Sequence, residues 1–566
     1  MEPLWRKTAS RVQDYRAQGL RKVQPPLPEI PSNLPKSVTH VPHQLLSQRE
    51  IAITDSSPEG LLSYLTAGKW SSEEVARAYL RRASLAQELV STHFVWKTST
   101  VKKLKVNCIT ELLPTQAISR AQELDRFIKE NRRPMGPLHG LPISVKEQIG
   151  MKGLTCNAAF VAWADKVMDD DALILKILWK AGCIFYARTT EPQALMHLET
   201  SNNLYGITVN PFNRDLTPGG SSGGEGALQA LRGSCLGIGS DIGGSIRSPA
   251  ANNGLYGFRP TAHRLPMGGS SFASNGGSYI AAANGPLSTS LKGIELFMET
   301  VLAAKPWLTD PTLVALPWRK SEKLTDHLYG KKLKIAIMWS DNVVTPHPSV
   351  TRALTIMSSQ LKNIDNVEIV DWNPYEHGLA WEIIAKLYYV DGGKETTDLI
   401  DRSGEPWRPL SNFIIKENPY VRERSLADVQ GLVADRDNYR AQYASKWNAT
   451  ATGDTSNGEL EGMVDVILCP VGPGPAPRLD CSKYWCYTSQ WNLLDYPALV
   501  FPATKVDATV DSWPKDYEAM NEQDKFNHDM YEPVDDFDGM PVGLQLVGRP
   551  FDDEKVCVNL ERLDED

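Results

Sequence analysis

The sequence predicts an α/β fold: a large, mostly mixed central sheet flanked by helices, with a helical cap. Three observations carry this. Short apolar runs that read as buried strands alternate with stretches of helical period from Pro114 to Asp371. Between Thr217 and Pro249, ten glycines and several serines are interrupted by Ala227–Leu231, Leu236 and Ile238, the pattern of a short helix and a strand between tight turns. Residues 375–460 are helix-rich and polar, as a cap over a sheet would be. The chain has 566 residues, 42% hydrophobic and 23% charged, enough core for one large domain or two ordinary ones.

In chain order, residues 1–50 read as an N-terminal helix and a proline-rich arm. Leu4, Val12, Tyr15 and Leu20 have helical spacing, and PPLPEIPSNLP follows as a segment suited to wrap the body or a partner subunit. Residues 51–566 read as one domain that contains the 375–460 cap. Ser71-Ser72-Glu73-Glu74 has the form of a capping box opening a helix to about Leu89. A helix is expected from Pro114 to about Asn131, and a strand from Leu141 to Ile149. Asp169–Asp171 are expected to cap a helix ending near Gly182, with a strand from Cys183 to Arg188 after it. Lys331-Lys332-Leu333-Lys334 reads as a solvated strand start. The strand Lys334–Met338, a helix at 348–361 and a strand at 367–371 continue the alternation, and there is no internal repeat.

Composition narrows the function. A net charge of −8 argues against nucleic acid or an anionic membrane as a general partner. No apolar run has the length of a signal core or a membrane anchor, so the expected location is cytoplasmic. The eight cysteines are scattered without a CxxC pair and read as reduced thiols; Cys481 and Cys486 are either surface thiols or cleft lining. No histidines have HExxH-like spacing, so neither a metal nor a cofactor is expected. Without a secretory route, Asn448-Ala449-Thr450 is a glycosylation sequon in form only.

The chemistry concentrates in Thr217–Pro249. A flexible linker would not carry the apolar interruption. A phosphate cradle is disfavoured, because GxxxxGK[ST] is absent and Gly243 falls one residue late for GxGxxG after Gly237 and Gly239. Gly219-Gly220-Ser221-Ser222-Gly223 satisfies GxSxG, which would make an α/β-hydrolase esterase with Ser221 or Ser222 as nucleophile and an essential histidine.

GGSSGGEGAL and GSDIGGSIRSPA, preceded by GPLHGLPISVKEQI at 136–149, resemble the amidase signature family, and the three blocks stand in that family's order and spacing. DVILCP (465–470), WNLLDYPALVFP (491–502) and DGMPVGLQLVGRP (538–550) bring the resemblance nearest to fungal acetamidases and general amidases. It implies the amidase-signature fold. It further implies a triad of Lys146 as base, Ser221 as bridging serine after a cis Gly220–Ser221 peptide, and Ser245 as nucleophile. The oxyanion would rest on the N–H groups of Ile242, Gly243, Gly244 and Ser245. Asp241 and Arg247 would brace the loop, with Ser222 as a further supporting residue. Leu195, Met196 and Leu198 would line an acyl pocket.

These residue types suit amide hydrolysis. An amide carbon is a poor electrophile, so a serine must lose its proton as it attacks. Lys146 can take that proton if burial after Ile143 and Val145 keeps its amine neutral. The expected reaction converts a small-molecule carboxamide to an acid and ammonia through an acyl-enzyme. An amidotransferase-type subunit that passes ammonia to a partner is the competing reading beside the esterase, and a homodimer is compatible. Against the family pattern, residues 90–106 read as a basic, β-prone insertion between AQEL and NCITELL, either a translated intron, whose length it has, or a surface loop.

Overall fold

In the computed structural model, residues 2–31, 33–89, 107–273, 279–319, 332–453 and 461–564 are described; the insertion expected at 90–106 lies outside them. The strands are β1 (Ile109–Leu112), β2 (Pro142–Lys146), β3 (Ile184–Thr189), β4 (Ser201–Asn202), β5 (Gly206–Ile207), β6 (Leu236–Asp241), β7 (Tyr256–Arg259), β8 (Ala283–Ser288), β9 (Leu333–Ile337), β10 (Val367–Asp371), β11 (Val466–Pro470), β12 (Ala498–Lys505) and β13 (Pro541–Val547). Eleven form one sheet in the order β1-β3-β2-β6-β8-β7-β12-β13-β11-β9-β10, while β4 and β5 pair by themselves.

The sheet is mixed in an ordered way. On one side β3, β2 and β6 run parallel, and on the other β11, β9 and β10 do. The strands between them, from β6 through β8, β7, β12 and β13 to β11, are antiparallel. Parallel strands need crossover connections, and helices Leu173–Lys180, before β3, and Pro348–Leu361, between β9 and β10, lie in such connections. Strands β2, β3, β6 and β8 are buried along their whole length, as strands covered on both faces are.

Several local expectations change. The helix Ser72–Glu88 is capped by Ser71, whose Oγ accepts from Glu74 N, but Glu74 does not close the box. Its carboxylate is taken by Arg49 at 2.6 and 3.0 Å, and the Ser72 and Glu73 amides donate to Asp125 instead. Asp169–Asp171 do not cap the next helix, which runs Leu173–Lys180 behind Ala172; Asp171 accepts from Lys152 N. Lys334 is buried rather than solvated, because its ammonium donates to the carbonyls of Thr450 at 2.9 Å and Gly462 at 3.1 Å. In the helix Leu4–Arg21, Leu4 and Tyr15 are exposed, so the expected apolar stripe is only partly turned inward. The proline-rich segment is tied to the body, Arg81 donating to the carbonyls of Pro25 and Pro26.

Segment 375–460 contains helices His377–Tyr388, Lys394–Ser403, Pro409–Ile415 and Leu426–Asn448. The first packs against the last and against helix Cys486–Leu494. All eight cysteines are free and seven are buried. Among the described residues, no helix is long and apolar enough to cross a membrane.

Candidate active site

Lys146 ends β2 and is fully buried, a position a lysine takes only with partners for its amine. Its Nζ lies 2.6 Å from Ser221 Oγ and 3.0 Å from Ser240 Oγ, and the Ser240 hydroxyl donates to Gln148 Oε1 at 2.9 Å. Burial strips water from the ammonium and lowers its pKa to about 8, against the opposite pull of Glu191, Asp241 and Glu225. The Gly220–Ser221 peptide is cis.

Ser245 follows β6 in the turn before helix Arg247–Asn252, and it shares a cavity of about 420 Å³ with Ser221 and Ser240. The Ser222 N–H donates to the Ser245 carbonyl at 3.0 Å, which ties the two glycine turns together. Ser222 Oγ also accepts from Ser240 N at 3.4 Å. Asp241 and Arg247 form a wholly buried ion pair. Burial opposes ionisation of Asp241, but Arg247 and Asn492 hold its carboxyl well below the usual carboxylate range. Arg247 also donates to the Thr488 carbonyl and to Asn492 Oδ1, fastening the turn to helix Cys486–Leu494.

The amides of this turn divide. Asp241 accepts from Gly244 N at 2.9 Å and from Ile246 N at 3.1 Å, so the Gly244 N–H, expected to face the oxyanion, braces the loop instead. Gly244 has φ +130°, a conformation that L side chains rarely adopt, and that bend brings its N–H back onto the carboxylate. Among the described residues, the N–H groups of Ile242, Gly243 and Ser245 have no hydrogen-bond acceptor.

The cavity wall is mostly apolar. Leu195 and Met196 line it, whereas Leu198 lines a separate cleft together with Cys481. The segment 375–460 contributes the stretch from Leu387 to Thr396. Further walls come from Leu265, Phe272, Ile280 and Leu313, which the sequence did not single out because isolated apolar residues in loops have no period to read. Ser240 and Gln148 were missed for a different reason: only the pairing of β2 with β6 brings Ser240 to Lys146 and to Gln148.

The sequence profile of the family described as Amidase matches residues 76–557. The chain belongs to the amidase signature family. An acetamidase of Aspergillus oryzae is 37% identical over 93% of this chain and 92% of that protein. A Schizosaccharomyces pombe protein that carries the amidase name is 42% identical over 99% of this chain and 98% of its own. Among solved structures, a fatty acid amide hydrolase superposes with a TM-score of 0.87 at 32% identity, covering 99% of this chain and 94% of that one. This amidase is a hydrolase acting on amides.

Proposed function

We propose that this amidase cleaves a carboxamide to a carboxylic acid and ammonia through a Ser245 acyl-enzyme, with Ser221 and Lys146 as the proton relay. The observation that carries the reading is the 2.6 Å contact between Lys146 Nζ and Ser221 Oγ in a buried setting, beside a cavity that also holds Ser245. A neutral amine has two N–H bonds and one lone pair. One N–H goes to Ser240, whose own hydroxyl is committed to Gln148, which leaves the lone pair for the Ser221 proton.

The steps balance. Ser245 Oγ attacks the amide carbon as its proton passes to Ser221, and the Ser221 proton passes to Lys146. The C=O π pair moves to oxygen, where the N–H groups of Ile242, Gly243 and Ser245 stabilise it because they are oriented before the charge forms. When the C–N bond breaks, the proton returns through Ser221 to nitrogen and ammonia leaves. Water then attacks the ester by the same relay and frees the acid and Ser245.

A cavity of about 420 Å³ with mostly apolar walls suits an acyl group of several carbons or an aryl ring. The esterase reading needs a histidine on the GxSxG serine, and the base beside Ser221 is Lys146. An amidotransferase-type subunit gains no support from likeness to acetamidases along nearly the whole chain. Free, mostly buried cysteines fit a reducing, cytoplasmic setting. Replacing Ser245 by Ala is expected to abolish ammonia release with the melting temperature kept, and Lys146→Ala to cost several orders of magnitude. Wild-type ammonia release by either variant would refute the mechanism.

A further inference from the structure

Tyr388 closes helix His377–Tyr388, 146 positions from the catalytic turn, and donates its hydroxyl to the Ile242 carbonyl at 2.7 Å. In a trans peptide the C=O and the following N–H point in opposite directions. The bond that holds the Ile242 carbonyl therefore also aims the Gly243 N–H. Thr488 Oγ1 holds the next carbonyl, that of Gly243, at 2.7 Å, but the N–H aimed by that bond is Gly244's, which goes to Asp241. Among the described residues, two side chains bond to carbonyls of this turn, and the bond from Tyr388 is the one that sets an amide without an acceptor.

The contact is close. A Cβ on residue 243 would lie 2.8 Å from Tyr388 Oη and 3.1 Å from the Trp485 ring, so glycine is needed for the tyrosine to reach the backbone. Tyr388 packs beside Trp485, with ring centroids 6.2 Å apart, and its neighbour Leu387 lines the same cavity. Burial, and then the nearby Asp241 charge, raise the hydroxyl's pKa well above its ordinary value, so it remains a donor throughout the working range.

We infer that Tyr388 is a positioning residue for the oxyanion site: it orients the Gly243 amide from the 375–460 segment and links the wall of the acyl cavity to the catalytic turn. This rests on the Ser245 mechanism proposed above. The linkage has a consequence for selectivity, since an acyl group that displaces Leu387 and Tyr388 would misalign the amide and lower turnover even when it binds.

The test is Tyr388→Phe, which deletes one oxygen and keeps the ring against Trp485. With a phenylalkyl carboxamide as substrate, kcat is expected to fall about tenfold or more while KM stays within about twofold. Losing an oxyanion donor outright costs about 10²–10³ in kcat, and a misaligned one costs less. A phenylalkyl trifluoromethyl ketone, whose serine adduct carries the oxyanion, should bind more weakly by a factor similar to the loss in kcat. A phenylalkane of the same length, which offers no oxygen to these amides and so probes the cavity alone, should bind unchanged. If kcat is unaffected, or if KM and phenylalkane affinity move together with kcat, Tyr388 only lines the pocket and the inference is overturned. Ser245→Ala assayed alongside separates the two levels, because wild-type ammonia release by that variant would remove the mechanism itself whatever Tyr388→Phe does.

Discussion

A lysine with no exposed surface is the residue on which the proposed chemistry turns. Burial alone would make its amine a neutral base, while Glu191, Asp241 and Glu225 draw it back toward the charged form, and the balance falls at about 8. The relay needs the neutral amine, whose fraction grows as pH rises through that value. The expected kcat/KM therefore climbs between about pH 7 and pH 9 with a midpoint near 8. A profile that is flat or falling over this range, measured by ammonia release, would take Lys146 out of the base role. Lys146, Ser221 and Ser245 were singled out in the sequence because their three blocks resemble the amidase signature, not because a lone lysine at a strand end or a lone serine in a glycine turn signals chemistry. Tyr388 was not, since a tyrosine at a helix end has many uses and only the folded chain brings it to Ile242.

At the scale of elements, the turn after β6 works because its polar groups are assigned to separate tasks. Asp241 takes two amides, Arg247 and Asn492 hold Asp241, and three amides remain without an acceptor among the described residues. The helix Pro114–Asn131 and the strand β10 were read from the sequence with their bounds. The capping box at Ser71 was read only in half, because Arg49, 25 positions away, competes for Glu74. On either side of residues 90–106 the chain is already joined: Gln87 Oε1 accepts from Ile109 N at 2.9 Å, and Gln87 Nε2 donates to Asn107 Oδ1 at 3.4 Å. Excising residues 90–106 and linking Leu89 to Asn107 is thus expected to leave the melting temperature within a few degrees and to preserve ammonia release. An insoluble or inactive product would make the segment part of the working enzyme.

For the whole molecule, the alternation of helices and strands pointed to a mixed α/β sheet, and the sheet has three parallel strands on either side of an antiparallel centre, with β1 antiparallel at one edge. Strand order was beyond the sequence. β6 pairs with β2 through contacts nearly a hundred positions apart, and nothing in either strand's own pattern names its partner. The same long connections assemble the cavity, whose walls come from the segments around Leu195, Leu265, Ile280, Leu313 and Leu387. Three serines, Ser221, Ser240 and Ser245, line this cavity, and the proposed mechanism stands on the nucleophile being Ser245. Labelling the purified enzyme with a fluorophosphonate and locating the adduct by mass spectrometry tests this most directly. The account predicts a single adduct on Ser245 that Lys146→Ala slows sharply; an adduct on Ser221 or Ser222 with Ser245 unmodified would contradict it.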